Sequence, residues 1–218
     1  MNTINLHLYL VLDAATCGER LLEVADAALQ GGISVLQLRG HKTAWNKRDW
    51  YDTALALQPR CAAHGVPFII NDQVDIALAV GADGVHIGQS DLPPAVVRRL
   101  IGPEKILGLS THSVAQVQAV DTDIVDYIGI GPVFPTRSKA DADPAIGLDG
   151  LTAIVAAKPL PGVAIGGINA DNVARVRAVN PDGIAVIGAI CGAADILGAT
   201  QALYSGSAAV RVLVDDCG

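Results

Sequence analysis

Residues 126–147, DYIGIGPVFPTRSKADADPAIG, open as a buried strand and end as a loop. Tyr127, Ile128 and Ile130 string apolar side chains along the strand. Gly131-Pro132 then stops it, because proline has no N–H to give to a ladder. Gly131 is expected to let backbone approach a ligand closely. Beyond it come Thr136, Arg137, Ser138 and Lys139, hydroxyls and cations of the kind that bind phosphate oxygens. A strand whose C-terminal end runs into a polar loop is the unit of an α/β fold, and the rest of the chain repeats it.

Downstream, a helix starts at Leu148-Asp149-Gly150, and a strand over 162–165 ends in Gly166-Gly167-Ile168. Asn169 or Asp171 can cap the next helix. A strand over 183–187 ends at Gly188, and a last helix covers about 193–204. Upstream, strands are predicted at 7–12, 33–38, 66–70, 84–87 and 105–109. The helices between them run over about 18–30, through Trp50 and Leu57, over 76–80, from Pro93-Pro94 to Leu100, and over 113–120. Eight strand–helix pairs joined by short loops, with right-handed crossovers, close into a (β/α)₈ barrel; an open doubly wound sheet is the alternative. Nothing in the composition divides the chain. Residues 1–218 therefore read as a single barrel domain, with a short tail from about 207.

Composition supports this reading and excludes others. Of 218 residues, 51% are hydrophobic and only 4% aromatic, which suits aliphatic parallel strands packed under Ala-rich helices. A net charge of −7 without a run of Lys and Arg argues against nucleic acid as a partner. Cys17, Cys61, Cys191 and Cys217 have neither metal-binding nor disulfide spacing, as expected of free thiols in a reducing compartment. The N-terminal residues lack a secretory pattern, and no apolar run reaches the roughly 18 residues of a membrane span. A soluble, cytoplasmic protein is expected; a homo-oligomer is compatible with the sequence, which does not decide it.

In a barrel the C-terminal ends of all strands share one rim, where active sites form. Gln37, Arg39, Asn71, Asp72, Asp91, Ser110, His112, Thr136 and Lys139 thus converge although scattered in sequence. Gly166-Gly167 and Ile187-Gly188 end strands seven and eight, the usual phosphate position of this fold, where backbone N–H groups and a helix N-terminus face the ligand. Arg39 and Lys139, with His41 or Lys42, suggest a second anion locus. Asp72 and Asp91 end neighbouring strands. Two carboxylates facing one cavity repel unless a cation or a proton sits between them, and Mg²⁺ completed by substrate phosphates is the economical solution. Each could instead cap the helix that follows it. His86 reads as a hydrogen-bonded core histidine, and His112 as a general base or a helix-start residue. One monophosphate cradle, one metal pair and one cation cluster suit two phosphorylated substrates, or one substrate phosphorylated at both ends, and the cations with Mg²⁺ suit a pyrophosphate as leaving group.

These motifs, taken in order, resemble the thiamine phosphate synthase family over nearly the whole chain. The matching pieces are QLR at 37–39, INDQVDIALAVGADGVHIGQSD at 70–91, LGLSTHS at 107–113, DYIGIGPVFPTRSK, AIGGINADN and GIAVIGAI. The resemblance implies a Mg²⁺-assisted transferase. It would join 4-amino-5-hydroxymethyl-2-methylpyrimidine diphosphate to a (carboxy)thiazole phosphate, releasing diphosphate before the thiazole nitrogen captures the pyrimidine carbocation. It implies that Gln37, Arg39, Asn71, Ser110 and Lys139, with His41 or Lys42, bind the pyrimidine diphosphate. Arg39, Ser110 and Lys139 would be the catalytic groups, and Asp72 and Asp91 the metal ligands. Thr136, Ser138, Gly167, Ile187 and Gly188 would hold the thiazole phosphate.

The chain departs from the family pattern in three places. Gln-x-Arg-x-Lys has His41 at its fifth position and Lys42 one place later. Ser138 replaces a threonine, and Gly188 stands where a serine is frequent. The rival readings are a thiazole tautomerase, which needs no diphosphate or metal site, and a non-catalytic phosphate-binding barrel. Retention of Asn71-Asp72, Asp91 and Lys139 argues against the tautomerase.

Overall fold

A computed structural model describes residues 4–40, 44–136 and 143–206. Eight parallel strands close into a barrel in chain order. They are β1 (Leu8–Asp13), β2 (Val35–Arg39), β3 (Phe68–Asn71), β4 (Gly84–Ile87), β5 (Ile106–Thr111), β6 (Tyr127–Ile130), β7 (Gly162–Ile165) and β8 (Gly183–Val186). The helices are α1 (Ala14–Cys17), α2 (Leu21–Gln30), α3 (Lys47–Ala63), α4 (Val74–Val80), α5 (Pro94–Ile101), α6 (Val114–Gln118), α7 (Gly147–Ala157), α8 (Val173–Ala178), α9 (Gly188–Cys191) and α10 (Ile196–Ser205), with a 3₁₀ turn at Gly18–Arg20. The closed ring excludes the open sheet. The tail from 207, with Cys217, lies outside the described residues, as do His41, Lys42, Arg137, Ser138 and Lys139.

Successive side chains of a strand point to opposite faces, and this alternation sorts the core into two parts. Leu8, Leu10, Leu12, Leu36, Leu38, Phe68 and Ile70 pack outward under the helices. Tyr9, Val11, Val35, Ile69, Ile106, Tyr127, Val163 and Ala185 fill the barrel's interior. The same parity, carried up each strand, aims Asp13, Gln37, Arg39, Asn71, His86 and Ser110 inward at the C-terminal end. The strand ends thereby become a site.

At the opposite end one device recurs before every even strand. Ser34, Asp83, Asp126 and Asp182 each donate a backbone N–H to one residue at the start of the preceding strand. Their side chains accept the N–H of that same residue: Leu8 to Ser34 at 3.0 Å, Phe68 to Asp83 at 2.8 Å, Leu107 to Asp126 at 2.7 Å and Gly162 to Asp182 at 2.7 Å. Each reciprocal pair satisfies the orphan donor at a strand start and pins its register. The barrel is thus tied together two strands at a time at the end away from the site.

Several boundaries differ from the sequence reading for local reasons. Arg39 belongs to β2 rather than to the loop after it, because it pairs with Asp13 in the β1–β2 ladder. Helix α8 is capped by neither Asn169 nor Asp171. Asn172 precedes it, and the Asn172 side chain is turned back to accept from Asn169 N and donate to Gly167 O. Two short helices were missed, α1 directly after β1 and α9 directly after β8. Four-residue helices have too few positions to show a periodicity.

Candidate active site

One cavity of about 870 Å³ opens at the C-terminal rim, near the upper end of the range for ligand pockets. Gln37, Arg39, Asn71, Asp72, Asp91, Ser110, His112 and Thr136 all line it, and so do Gly167, Ile187 and Gly188. Every candidate from the sequence that falls on described residues is therefore at this rim. Arg39, Asn71, Asp72 and Asp91 also border a second recess, shared with Trp45, Lys47 and Trp50.

The arginine is not a loose cation. Arg39 Nη1 donates to Asp13 Oδ1 at 2.9 Å, and Asp13 is only 3% exposed. The other oxygen of Asp13 caps α1, accepting from Thr16 N at 3.0 Å and Thr16 Oγ1 at 2.7 Å. One buried carboxylate at the end of β1 thus starts a helix and holds the guanidinium at the rim. Asp13 was readable only as a strand terminus in the sequence, since its partner is 26 residues away. Lys47, also missed, is an exposed cation beside the recess, bonded to Gln73 and paired with Asp75 at 2.8 Å.

The structure also decides the rival reading of the two carboxylates. Asp72 sits in the left-handed region, with φ of +60°, and is not the residue that precedes α4, which is Gln73. A non-glycine residue pays for that conformation, and such strain clusters at functional sites. Asp91 is not a helix cap either, for Pro93 precedes α5. Its Oδ2 accepts Gly88 N at 2.7 Å, which folds the loop after β4 so that the carboxylate stays on the cavity wall. Oxygen donors from two carboxylates suit Mg²⁺, which keeps waters and takes substrate phosphates for its remaining positions. Among the described residues no group of three or more His, Cys, Asp or Glu could hold a metal ion by itself, so substrate oxygens would have to complete the shell.

The glycines serve the backbone more than a ligand. A Cβ on Gly131 would lie 2.1 Å from Ile165 O, so the expected close approach is made by β7. Gly167, at φ of +64°, has Pro135 O where a Cβ would stand, 2.7 Å away. Their turns still bring backbone to the cavity, where α9 starts at Gly188 directly after β8, the fold's usual phosphate position.

His112 is held in one orientation by α6. Gln116 Oε1 accepts the His112 backbone N–H at 2.8 Å, so its amide nitrogen faces the ring and donates to Nε2 at 3.1 Å. In the neutral imidazole this puts the proton on Nδ1, facing Asp143 Oδ2 at 3.4 Å. His86, expected to be a satisfied core histidine, is bonded on both nitrogens, to Tyr127 and to Ser110.

A closed (β/α)₈ ring with its polar residues gathered around one cavity on the C-terminal rim defines a barrel enzyme. Within that class the chain belongs to the thiamine monophosphate synthase family, whose model matches residues 8–190. It is 51% identical to the thiamine-phosphate synthase of Laribacter hongkongensis over 204 residues, 93% of this chain and 95% of that one. It is 46% identical to that of Moorella thermoacetica, over 90% of this chain and 93% of the relative. Among solved structures it superposes on thiamine phosphate pyrophosphorylase from Pyrococcus furiosus with a TM-score of 0.83 and 38% identity, over 93% and 95% of the two chains. The 3-hexulose-6-phosphate synthase of Salmonella typhimurium shares the fold alone, with a TM-score of 0.72 at 17% identity over 92% and 98% of the chains.

Proposed function

We propose that this chain is a thiamine phosphate synthase, a transferase that joins an aminopyrimidine diphosphate to a thiazole phosphate with release of diphosphate. The observation that carries this reading is convergence: the described members of both candidate sets, from β2–β5 and from the β6–β8 turns, line the same 870 Å³ cavity. Gln37, Asn71 and Ser110 would seat the pyrimidine. Arg39, tethered by Asp13, would bind the diphosphate together with Lys139 and with His41 or Lys42. Thr136, Ser138, Gly167, Ile187 and Gly188 would hold the thiazole phosphate. Asp72 and Asp91 would hold Mg²⁺, which when bound offsets the charge of the diphosphate as it leaves.

Ser110 Oγ lies 2.9 Å from His86 Nε2, but with the Tyr127 hydroxyl donating to Nδ1 that imidazole presents a proton to Ser110 rather than a base. Positioning and leaving-group stabilisation therefore do the work. The side chains hold the pyrimidine methylene against the thiazole nitrogen, and cations fixed before the reaction meet the charge that develops on the diphosphate. Asp13 contributes by fixing Arg39 beforehand, so that no ordering is required at the moment of ionisation.

Crystals grown with Mg²⁺, diphosphate and thiamine monophosphate test the assignment. Metal density at Asp72 and Asp91, with the monophosphate at Gly167 and Gly188, is the expected result. Product bound elsewhere on the barrel would overturn it.

A further inference from the structure

Below the rim a chain of side chains from five strands crosses the barrel's interior. Gln37 Nε2 donates to Tyr9 Oη at 2.7 Å, and Tyr9 Oη lies 2.8 Å from Tyr127 Oη. Tyr127 Oη is 2.9 Å from His86 Nδ1, and His86 Nε2 is 2.9 Å from Ser110 Oγ. Tyr9 and Tyr127 are 1% and 0% exposed, so water does not share these bonds. Room for the chain depends on Gly108, where a Cβ would stand 2.4 Å from both Tyr127 Oη and His86 Nδ1.

The direction of every bond follows from its first member. An amide nitrogen only donates, so the Tyr9 oxygen accepts from Gln37; Tyr127 Oη is its one other partner, and the buried Tyr9 proton is satisfied only by donating there. Tyr127 then donates to His86 Nδ1, and His86 carries its proton on Nε2 and donates to Ser110. The Ser110 proton is left for the cavity that Ser110 lines, and so is the Gln37 oxygen. Among the described residues the one buried side-chain N or O atom without a partner is Arg177 Nε, so none of the relay's buried atoms lacks a bond. Burial holds both phenols well above their ordinary pKa, so each carries one proton. Turning the Gln37 amide over would reverse all four bonds and make Ser110 an acceptor. The two ends are locked to each other.

We propose that this relay is a specificity device: Tyr9, Tyr127 and His86 are positioning residues that hold Gln37 as an acceptor and Ser110 as a donor toward the substrate. This rests on the function proposed above and deepens it. An aminopyrimidine offers an amino donor and a ring-nitrogen acceptor, matching that polarity. Its 4-oxo counterpart offers an acceptor and a ring N–H, and meets the wrong group at both ends. A site built to bond one polarity rejects the other, because mismatched buried groups stay unpaired.

The test compares kcat/KM for the 4-amino and 4-oxo forms of the pyrimidine diphosphate in the wild type, Tyr127→Phe and Tyr9→Phe. The wild type is expected to prefer the amino form by at least a hundredfold. Each Phe variant releases the Gln37 amide to turn, so the preference falls at least tenfold while the KM for thiazole phosphate stays put. In parallel, ¹⁵N NMR of His86 is expected to show the Nε2–H tautomer in the wild type and a mixture in Tyr127→Phe. An unchanged amino-to-oxo ratio in both variants, or an Nδ1–H tautomer in the wild type, overturns the relay alone. A wild type without turnover of the amino form would overturn the function it rests on as well.

Discussion

Replacing Asp13 tests how the barrel readies its arginine. The Asp13 carboxylate makes one charged hydrogen bond to Arg39 and two to Thr16 from a position 3% exposed. Asp13→Asn keeps an oxygen for the Thr16 cap but removes the charge facing Arg39. A hydrogen bond between charged groups contributes about 1.5–3 kcal/mol, and this pair is buried on one side and open to the cavity on the other. The coupling between positions 13 and 39 should therefore be about 2 kcal/mol. Asp13→Ala also loses the cap, a further cost of about 1 kcal/mol. Urea unfolding of Asp13→Asn, Arg39→Met and the double variant closes a thermodynamic cycle that isolates the pair from every other contact of Arg39. Asp13→Asn should in addition raise the KM for the diphosphate substrate, because Arg39 must then be ordered on binding. Additive single effects, within about 0.5 kcal/mol, would show that the two side chains are merely adjacent and would refute the reasoning.

Three further outcomes follow from particular residues. Asp72→Gly should be about 1 kcal/mol more stable than Asp72→Ala, since glycine meets φ of +60° without penalty, while both cut turnover at least tenfold; thermal melts and Mg²⁺ titrations read the two effects separately. Gly167→Ala should cost about 1–2 kcal/mol of stability with or without ligand, because its Cβ would crowd Pro135 O; an unchanged melting temperature would contradict this. Burial raises the Asp182 carboxyl, but Lys158 and the Gly162 N–H outweigh it and hold it below its ordinary value. A folded-state value below the unfolded one, about 3.9, stabilises above that pH and is lost as the pH falls. Asp182→Asn should thus melt below the wild type at pH 7, with the gap closing as the pH falls through and below the ordinary carboxylate range.

The eight-unit barrel was legible because each strand is short, aliphatic and bounded by glycine or a polar turn, and each helix longer than a turn shows its apolar face. The rim candidates were legible for a geometric reason. Closing the ring puts every strand's C-terminal end in one place, whatever the exact boundaries. What escaped was pairing. Asp13 with Arg39 and Tyr9 with Tyr127 are joined by inward parity across neighbouring or opposite strands, His112 meets Asp143 from the loops beyond β5 and β6, and no local pattern announces any of these pairs. The reciprocal clamps at the other end did leave a trace, since a Ser or Asp stands just before β2, β4, β6 and β8. That trace has meaning only once the strands are known to pair in sequence. Gly131 and Gly167 were identified as special positions, but the atoms that require glycine there belong to the protein's own backbone.

The central claim is that two phosphorylated substrates meet at one rim and leave as thiamine monophosphate and diphosphate. Incubating the protein with both substrates and Mg²⁺, and omitting each in turn, measures it directly. Equal amounts of thiamine monophosphate and diphosphate, formed only in the complete mixture, are expected. No thiamine phosphate, with isomerisation of the thiazole phosphate intact, would contradict the account and assign the cavity to the isomerase.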